Sequence, residues 1–419
     1  MAQLSPDSFA FGGRLRRLDD ALDDLTIRLA GLGETETVPV MQAIGRVLAH
    51  EVRSSFAIPN FDNSAVDGYA VRFADLAASG ETRLPVSLRI PAGMIGVPPL
   101  PPGTAGRIFT GAMMPAGADT VFMQEDVCTE GETVLLPHGL KLGSNRRFAG
   151  EDFAKGAAIV SAGTRLKPQH LAGLAAAGRS VVTVRRRLRV AIFSTGNEIR
   201  EPAPEAPEPG CQYDANRAML AGLLAARGME IIDLGILPDD PGIMARALKD
   251  AAKANDAILT SGGVSTGEED HVKAAIEAAG RLDFWRLAIK PGRPIAMGTL
   301  EGTPFLGMPG NPAAVFVTFL RFVGPVLDML AGAKPLRPAP IPVPSGFDYR
   351  KKADRREYLR VSLAAEAGAR MMAHRFPKDG AALISSLIAA DALAELGEDI
   401  TEIKAGETIS VLPLACLLS

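Results

Sequence analysis

The chain has 419 residues, more than one core ordinarily holds, and length alone suggests about three domains. Hydrophobic residues make up 47% and charged residues 22%, an ordinary globular composition that allows a large buried core. The formal net charge of −3 supplies no basic field, which argues against a general nucleic-acid binder.

The segment from Met1 to Leu18 mixes Asp7 with several arginines and has no signal-peptide apolar core. No run of about 18 consecutive apolar residues follows, so no membrane span is expected. Leu18, Leu22, Leu25 and Leu29 recur at spacings of four, three and four, which predicts an amphipathic helix over Leu18–Ala30. Gly31 and Gly33 end it. A second short helix is expected over Met41–Ala49. From Phe56 to about Arg147 the texture changes. Short β-like runs, Val86–Ile90 and Thr120–Met123, alternate with Gly/Pro turns, which reads as a compact, mostly β insertion. An Ala-rich helix is expected over Pro168–Ala177. Its natural packing partner is the N-terminal helix, which would make the first domain discontinuous.

From Leu188 to Leu330 the pattern is regular. Strands are expected at Val190–Thr195, Glu230–Gly235, Ala257–Thr260, Phe284–Ile289, Ile295–Met297 and Phe305–Met308. Helices are expected at Ala215–Arg227, Pro241–Ala254, Val272–Ala279 and Pro312–Leu330. Near-continuous apolar strands alternating with helices specify a buried, largely parallel sheet, whose ligands sit outside the carboxyl ends of the strands. Glu201–Pro209 carries four prolines and reads as an exposed loop; Pro335–Pro344 carries five and reads as a stiff linker. Beyond it, Tyr358–Leu363 and Thr408–Leu412 look like strands of a small C-terminal β domain.

Three glycine-bearing turns fall at the predicted strand ends. Ser261–Asp270 places Gly262, Gly263, Gly267, Ser265 and Thr266 before Glu268, Glu269 and Asp270. Glycines let amides approach an anion, and the acids could hold a hard cation beside it or simply favour the next helix start. Ser194-Thr195-Gly196-Asn197-Glu198 reads either as an anion nest with Glu198 placed for a metal, or as a tight turn with a solvated glutamate. In Pro309-Gly310-Asn311-Pro312, Asn311 fits an N-cap and Pro312 the first helical position, and the free amides could still bind an anion. Lys290-Pro291-Gly292-Arg293-Pro294 offers two cations for an oxyanion, or a charged hairpin tip. The five histidines show no ligand spacing. The three cysteines, Cys128, Cys211 and Cys416, form no CxxC pair, and a reducing cytoplasm is the simplest setting.

Together these segments resemble the molybdopterin molybdenumtransferases of molybdenum-cofactor synthesis, the group that includes the C-terminal enzyme domain of gephyrin. The matching stretches are Phe61–Ala70, Arg107–Gly111, Gly117–Asp119, Gln124-Glu125, Gly150–Asp152, Phe193–Glu198, Tyr213–Arg217, Ser261–Asp270, Phe284–Pro294 and Gly307–Pro312. They run in the family's order over roughly residues 40–330; the tail, with Arg356, Arg360 and Ser385-Ser386, matches more loosely.

The resemblance implies an L-shaped homodimer of multidomain subunits: an α/β domain with a three-layer, largely parallel sheet of molybdopterin-binding type, plus β-rich domains. The expected divisions are 1–55 with 148–187 as a discontinuous α-rich linker domain and 56–147 as a β-rich inserted arm. Residues 188–332 form the catalytic α/β domain, and 333–419 the C-terminal β domain. The implied reaction converts adenylylated molybdopterin and molybdate into molybdenum cofactor and AMP, with Mg²⁺, in the cytoplasm. No nucleic-acid or membrane partner is implied. Transient contacts with molybdopterin adenylyltransferase and with molybdoenzymes are.

The resemblance assigns catalytic roles to Asp67, Glu198, Asp239, Asp270 and Lys290, with Glu198, Asp239 and Asp270 as metal ligands. Substrate contacts are expected at Thr110, Arg147 and Asp152 on the arm, which in the family faces the partner subunit's site. Further contacts are expected at Thr195, Gly196, Ser261, Gly262, Gly263 and Ser265, and at Arg286, Arg293, Pro309, Gly310 and Asn311. Arg286 and Arg293 stand where lysine is common, and His271 where tyrosine is common. Two other functions compete: an adenylyltransferase acting on molybdopterin itself, and a scaffold with a relic site.

Overall fold

The computed structural model describes residues 15–29, 31, 33–263, 276, 280–292, 294–334, 338–365 and 371–418. Most of the expected Val272–Ala279 helix lies outside them.

The central sheet has six strands: β1 (Arg189–Thr195), β2 (Glu230–Leu237), β3 (Ala257–Ser261), β4 (Gly280–Arg286), β5 (Pro294–Leu300) and β6 (Thr303–Met308). Their order is β2-β1-β3-β6-β5-β4. The pairings among β2, β1, β3 and β6 are parallel, and those of β5 with β6 and β4 are antiparallel, so the sheet is mixed. Alternation along β1 explains the layering. Val190 and Ile192 face one cluster with Leu220, Leu224 and Phe319, while Ala191 and Phe193 face another with Met244 and Leu248. Both faces are thus covered by helices, which is why β1 and β3 read as continuous apolar runs. The covering helices start where the sequence signals. Asp214 caps Ala215–Ala226, accepting from the Arg217 amide, and Asp240 caps Pro241–Ala254, accepting from the Ile243 amide.

The Pro312–Leu330 helix contains a π-helical stretch at Phe319–Val323. By length and composition it could cross a membrane, with mean hydropathy 1.7, although Arg321 and Asp328 interrupt its apolar run. Within the fold 89% of it is buried, as a core helix. Its Asp328 accepts from Arg165 at 2.7 Å and also pairs with Arg227.

Two expectations about the N-terminal region fail. The Leu18–Arg28 helix does not pack on the Pro168–Ala176 helix. Leu18, Ala21 and Leu25 join the central core against Val326 and Leu327, and Asp19 accepts from Arg356 at 2.8 Å. The Pro168–Ala176 helix instead buries Leu174 with Val40, Val160 and Val182. Nor is Met41–Ala49 a helix. A 3₁₀ turn at Val40–Gln42 is followed by Gly45 at φ +72°, after which Val47 and Leu48 bridge to Arg165 and Val184. Those bridges bury Val47 and Leu48, while Met41 and Ile44, which complete a helix-like spacing, are exposed.

Thr35–Pro39 pairs antiparallel with Val181–Arg185, and Val52–Arg53 with Ala158–Val160, so the chain leaves and re-enters this region around the arm. The arm carries a six-stranded sheet in the order Thr120–Met123, Gly68–Val71, Ala105–Ile108, Thr82–Ile90, Thr133–Leu136, Cys128–Glu130. The C-terminal sheet contains Arg356–Ala365, Ala392–Leu396, Thr408–Pro413 and Ile341–Pro344, with Met371–Arg375 paired to the first. Its edge is completed from the central domain. Phe284–Ile289 is not one strand: after Arg286 the chain leaves the central sheet, and Ile289–Lys290 pairs in parallel with Arg356-Glu357.

Candidate active site

Thr195, Ser261 and Met308 end adjacent parallel strands, with Ser194 opposite Ser261 and Ser261 opposite Met308. This rim is where an open α/β sheet binds ligands. Thr195 donates its hydroxyl to Asp239 Oδ1 at 2.7 Å, tying the end of β1 to the loop after β2. Gly196 has φ +136°, and a Cβ there would meet a Glu198 carboxylate oxygen at 2.7 Å, so only glycine lets Glu198 fold back over the turn. Gly262 and Gly263 take φ +87° and +64°, turning the chain away from the sheet end; the Gly262 amide donates to Met308 O at 3.0 Å.

A cleft of about 340 Å³ opens on this rim. Glu198, Thr195, Ser261, Gly262, Gly310 and Asn311 line it, together with Asp214 and Asn216. Asn216 donates to the Gly310 carbonyl at 2.7 Å, fixing the 309–312 turn against the Ala215–Ala226 helix. Among the described residues the buried Ser194 hydroxyl has no hydrogen-bond partner. Asn311 sits at the N-cap of the Pro312 helix, but its side chain makes no capping bond, and the residue lines the cleft instead. One amide expected to be free there is already used: Ala313 N donates to Ala381 O at 2.9 Å, from the C-terminal domain.

A second cleft, about 810 Å³, shares Asn311 and runs between the central and C-terminal domains. Lys290, Pro309, Tyr349, Lys352, Glu357 and Arg360 are among its walls. Lys290 Nζ lies 3.2 Å from Glu357 Oε2. Tyr349 donates to the same oxygen at 2.7 Å; burial first, then that bond, pushes its phenol well above the ordinary range, so it stays protonated. Arg360 is held by Ser386 at 3.1 Å and Gly380 O at 3.0 Å, and burial pulls its guanidinium below the ordinary value.

On the arm, Asp67 Oδ1 accepts from both the amide and the hydroxyl of Thr110 at 2.7 Å each. These bonds, the amide first, hold its carboxyl below the usual carboxylate range. Arg147 and Asp152 are exposed at the neck, where Arg147 pairs with Asn63 and the Asp152 amide donates to Ile58 O at 3.2 Å. None of these four lines either cleft of its own chain.

The expected residues thus fall into three groups. Thr195, Gly196, Glu198, Asp239, Ser261, Gly262, Gly263, Gly310 and Asn311 gather on the rim; Lys290 and Pro309 face the neighbouring cleft; the arm residues stand apart. Ser265, Asp270 and Arg293 lie outside the described residues, as does the side chain of Arg286. Among the described residues no cluster of three or more metal-type side chains occurs. Asn216, in the matching Tyr213–Arg217 stretch, joins the site beyond the expected residues. Tyr349 and Glu357 join it too, and no local sequence signal marks them.

Family models match along the chain: "MoeA N-terminal region (domain I and II)" over residues 16–178, "Probable molybdopterin binding domain" over 191–329, and "MoeA C-terminal region (domain IV)" over 342–414. Among curated proteins, the molybdopterin molybdenumtransferase of Haemophilus influenzae is 36% identical over 403 residues, covering 96% of this chain and 99% of that one. The Nostoc protein of the same name is 38% identical, covering 93% and 91%. A crystal structure of the molybdopterin biosynthesis moeA protein from Pyrococcus horikoshii superposes with a TM-score of 0.80 at 32% identity, over 95% of this chain and 99% of that one. The chain belongs to the molybdopterin molybdenumtransferase family.

Proposed function

We propose that this chain transfers molybdenum from molybdate to the dithiolene of adenylylated molybdopterin, releasing AMP. The supporting observation is the rim itself. Carboxylates at Glu198 and Asp239, the Thr195 hydroxyl and the glycine turn at Ser261–Gly263 converge at one sheet edge, beside a cleft bearing Lys290. Both substrates are anionic, and cleaving a phosphoanhydride develops charge that fixed donors and cations stabilise. The thiolates that capture the metal belong to the substrate, so no cysteine cluster is required.

The donors suit a hard cation. Glu198 and Asp239 offer carboxylate oxygens, and Mg²⁺ commonly takes only one or two such ligands, with substrate phosphates and water completing its shell. When bound, Mg²⁺ would supply neutralisation of the anhydride's charge; Asp270, from the matching family position, is the third proposed ligand. Within the chain's own residues, Thr195 orients the Asp239 carboxylate, and Asn311, together with turn amides other than the already bonded Gly262 and Ala313 N–H groups, binds and orients the anion. Arg286, Arg293 and Ser265 are proposed substrate contacts on the resemblance alone.

Because Asp67 and Thr110 line neither cleft of their own chain, we assign them to a site completed by a second copy. The working unit is then a homodimer, with Arg147 and Asp152 on the same reach of arm. We place it in the cytoplasm. The adenylyltransferase alternative is separated by incubation with molybdopterin and ATP. Molybdate-dependent AMP release from the adenylylated substrate, without adenylylation of molybdopterin, is the expected result. Efficient adenylylation without molybdate would overturn the proposal.

A further inference from the structure

Glu357 is 1% exposed, and a carboxylate so placed is costly unless its oxygens are bonded. Arg355 supplies Nε at 2.8 Å and a second nitrogen at 2.7 Å to Oε1, and Tyr349 donates to Oε2 at 2.7 Å. Those two partners already satisfy both oxygens. The lysine is therefore surplus to Glu357, whereas among the described residues Glu357 is the one carboxylate paired with the lysine. Lys290 is 48% exposed on the wall of the larger cleft; its described ion pair is with Glu357, at 3.2 Å, and its ammonium also lies 3.4 Å from the Tyr349 hydroxyl that bonds the same carboxylate. A long flexible side chain so exposed holds no single position without a tether.

The backbone adds to this. Ile289–Lys290 is a two-residue strand paired in parallel with the C-terminal sheet, Lys290 opposite Glu357, and the Arg356 amide donates to Ala288 O at 2.7 Å. The C-terminal domain thus fixes both the main chain and the ammonium of a residue that belongs to the central domain.

We infer that Glu357 is a positioning residue that holds the Lys290 ammonium against the interdomain cleft, with Tyr349 steadying the carboxylate. The inference rests on the proposed function for the importance of Lys290, and the tether itself rests on the contacts above. It gives the C-terminal domain a specific part in turnover: it sets where a cation of the central domain stands relative to an anionic substrate.

The test is a double-mutant cycle on the full-length protein, assayed for AMP release from adenylylated molybdopterin with molybdate. Glu357→Gln should lower kcat about 10- to 100-fold while KM moves only about 2-fold, because displacing a group by about 1 Å costs on that order. Glu357→Asp, which keeps the charge, should recover part of the loss. In a Lys290→Met background, adding Glu357→Gln should change kcat less than about 2-fold, since residues acting through one another are non-additive. Full multiplication of the two losses would show that Glu357 acts through the fold, and would overturn the inference. An unchanged kcat in Glu357→Gln alone would do the same. Should Glu357→Gln fail to fold, Glu357→Asp carries the same cycle, with a smaller loss expected in the parent and none in Lys290→Met. If the parent protein itself releases no AMP, the proposed function fails. The tether is then read from acetylation of Lys290 followed by mass spectrometry, which Glu357→Gln, or Glu357→Asp in its place, should accelerate several-fold; an unchanged rate overturns the inference.

Discussion

The Thr195 hydroxyl donates to Asp239 Oδ1 at 2.7 Å, joining the ends of two neighbouring parallel strands. Thr195 is 6% exposed, so this bond is made largely out of water. Thr195→Val keeps the shape of the strand end and leaves Asp239 free to rotate. A hydrogen bond to a charged group contributes about 1.5–3 kcal/mol, so AMP release should fall about 10- to 100-fold. Asp239→Asn should fall at least as far. Circular dichroism on both variants checks that the fold is intact.

Thr110 sets the ionisation of Asp67. Its amide and hydroxyl both bond the carboxylate and keep its pKa below the ordinary value. Because the folded-state pKa is depressed, whatever this ionisation contributes to stability is present above the unfolded value, about 3.9, and is lost as pH falls through the folded value. Thr110→Val removes the hydroxyl but keeps the amide. Carbon-detected NMR titration should find the Asp67 carboxyl shifted upward, yet still below an ordinary aspartate. The pH dependence of stability in variant and parent should differ only on the acid side, below about pH 4.

Asp328 holds Arg165 and Arg227 together at the back of the core helix, with only 8% of its side chain exposed. Asp328→Ala leaves two poorly solvated guanidinium groups without their carboxylate. Breaking such a pair costs about 3–5 kcal/mol, so the denaturant midpoint should drop sharply, with no change at the rim. A midpoint within error of the parent would show that the two arginines find other partners.

Much of the rim is legible in the sequence. Val190–Phe193 and Ala257–Leu259 read as buried strands because helices cover both of their faces, and Gly196 and Gly262 mark turns that need positive φ. What is not legible there is long-range. Met41, Ile44, Val47 and Leu48 carry helical spacing, yet Val47 and Leu48 bridge to Arg165 and Val184, more than 100 residues away in sequence. The leucines of the first helix specify an apolar face but not its partner, which is the core helix rather than Pro168–Ala176. Ile289 looks like the end of a central strand and Lys290 like the start of a loop, because nothing local shows that the pair completes another domain's sheet. Tyr349 and Glu357 meet Lys290 only through that pairing.

The assignment of Asp67 to a partner's site predicts subunit complementation. Asp67→Ala and Asp239→Ala should each be inactive alone. Unfolding and refolding them together should restore activity, because in a mixed dimer one of the two sites carries neither substitution. No recovery, with mixed dimers verified by native mass spectrometry, would place both residues in one subunit's site.

The central claim is that the anionic substrates sit on the rim formed by Thr195, Ser261, Gly310 and Asn311. A crystal of the protein soaked with AMP and molybdate tests it directly. Density for the nucleotide phosphate or the oxyanion within hydrogen-bonding distance of these residues, or of Lys290 in the adjoining cleft, is the predicted result. Ordered ligand bound elsewhere, with both clefts vacant, would contradict it.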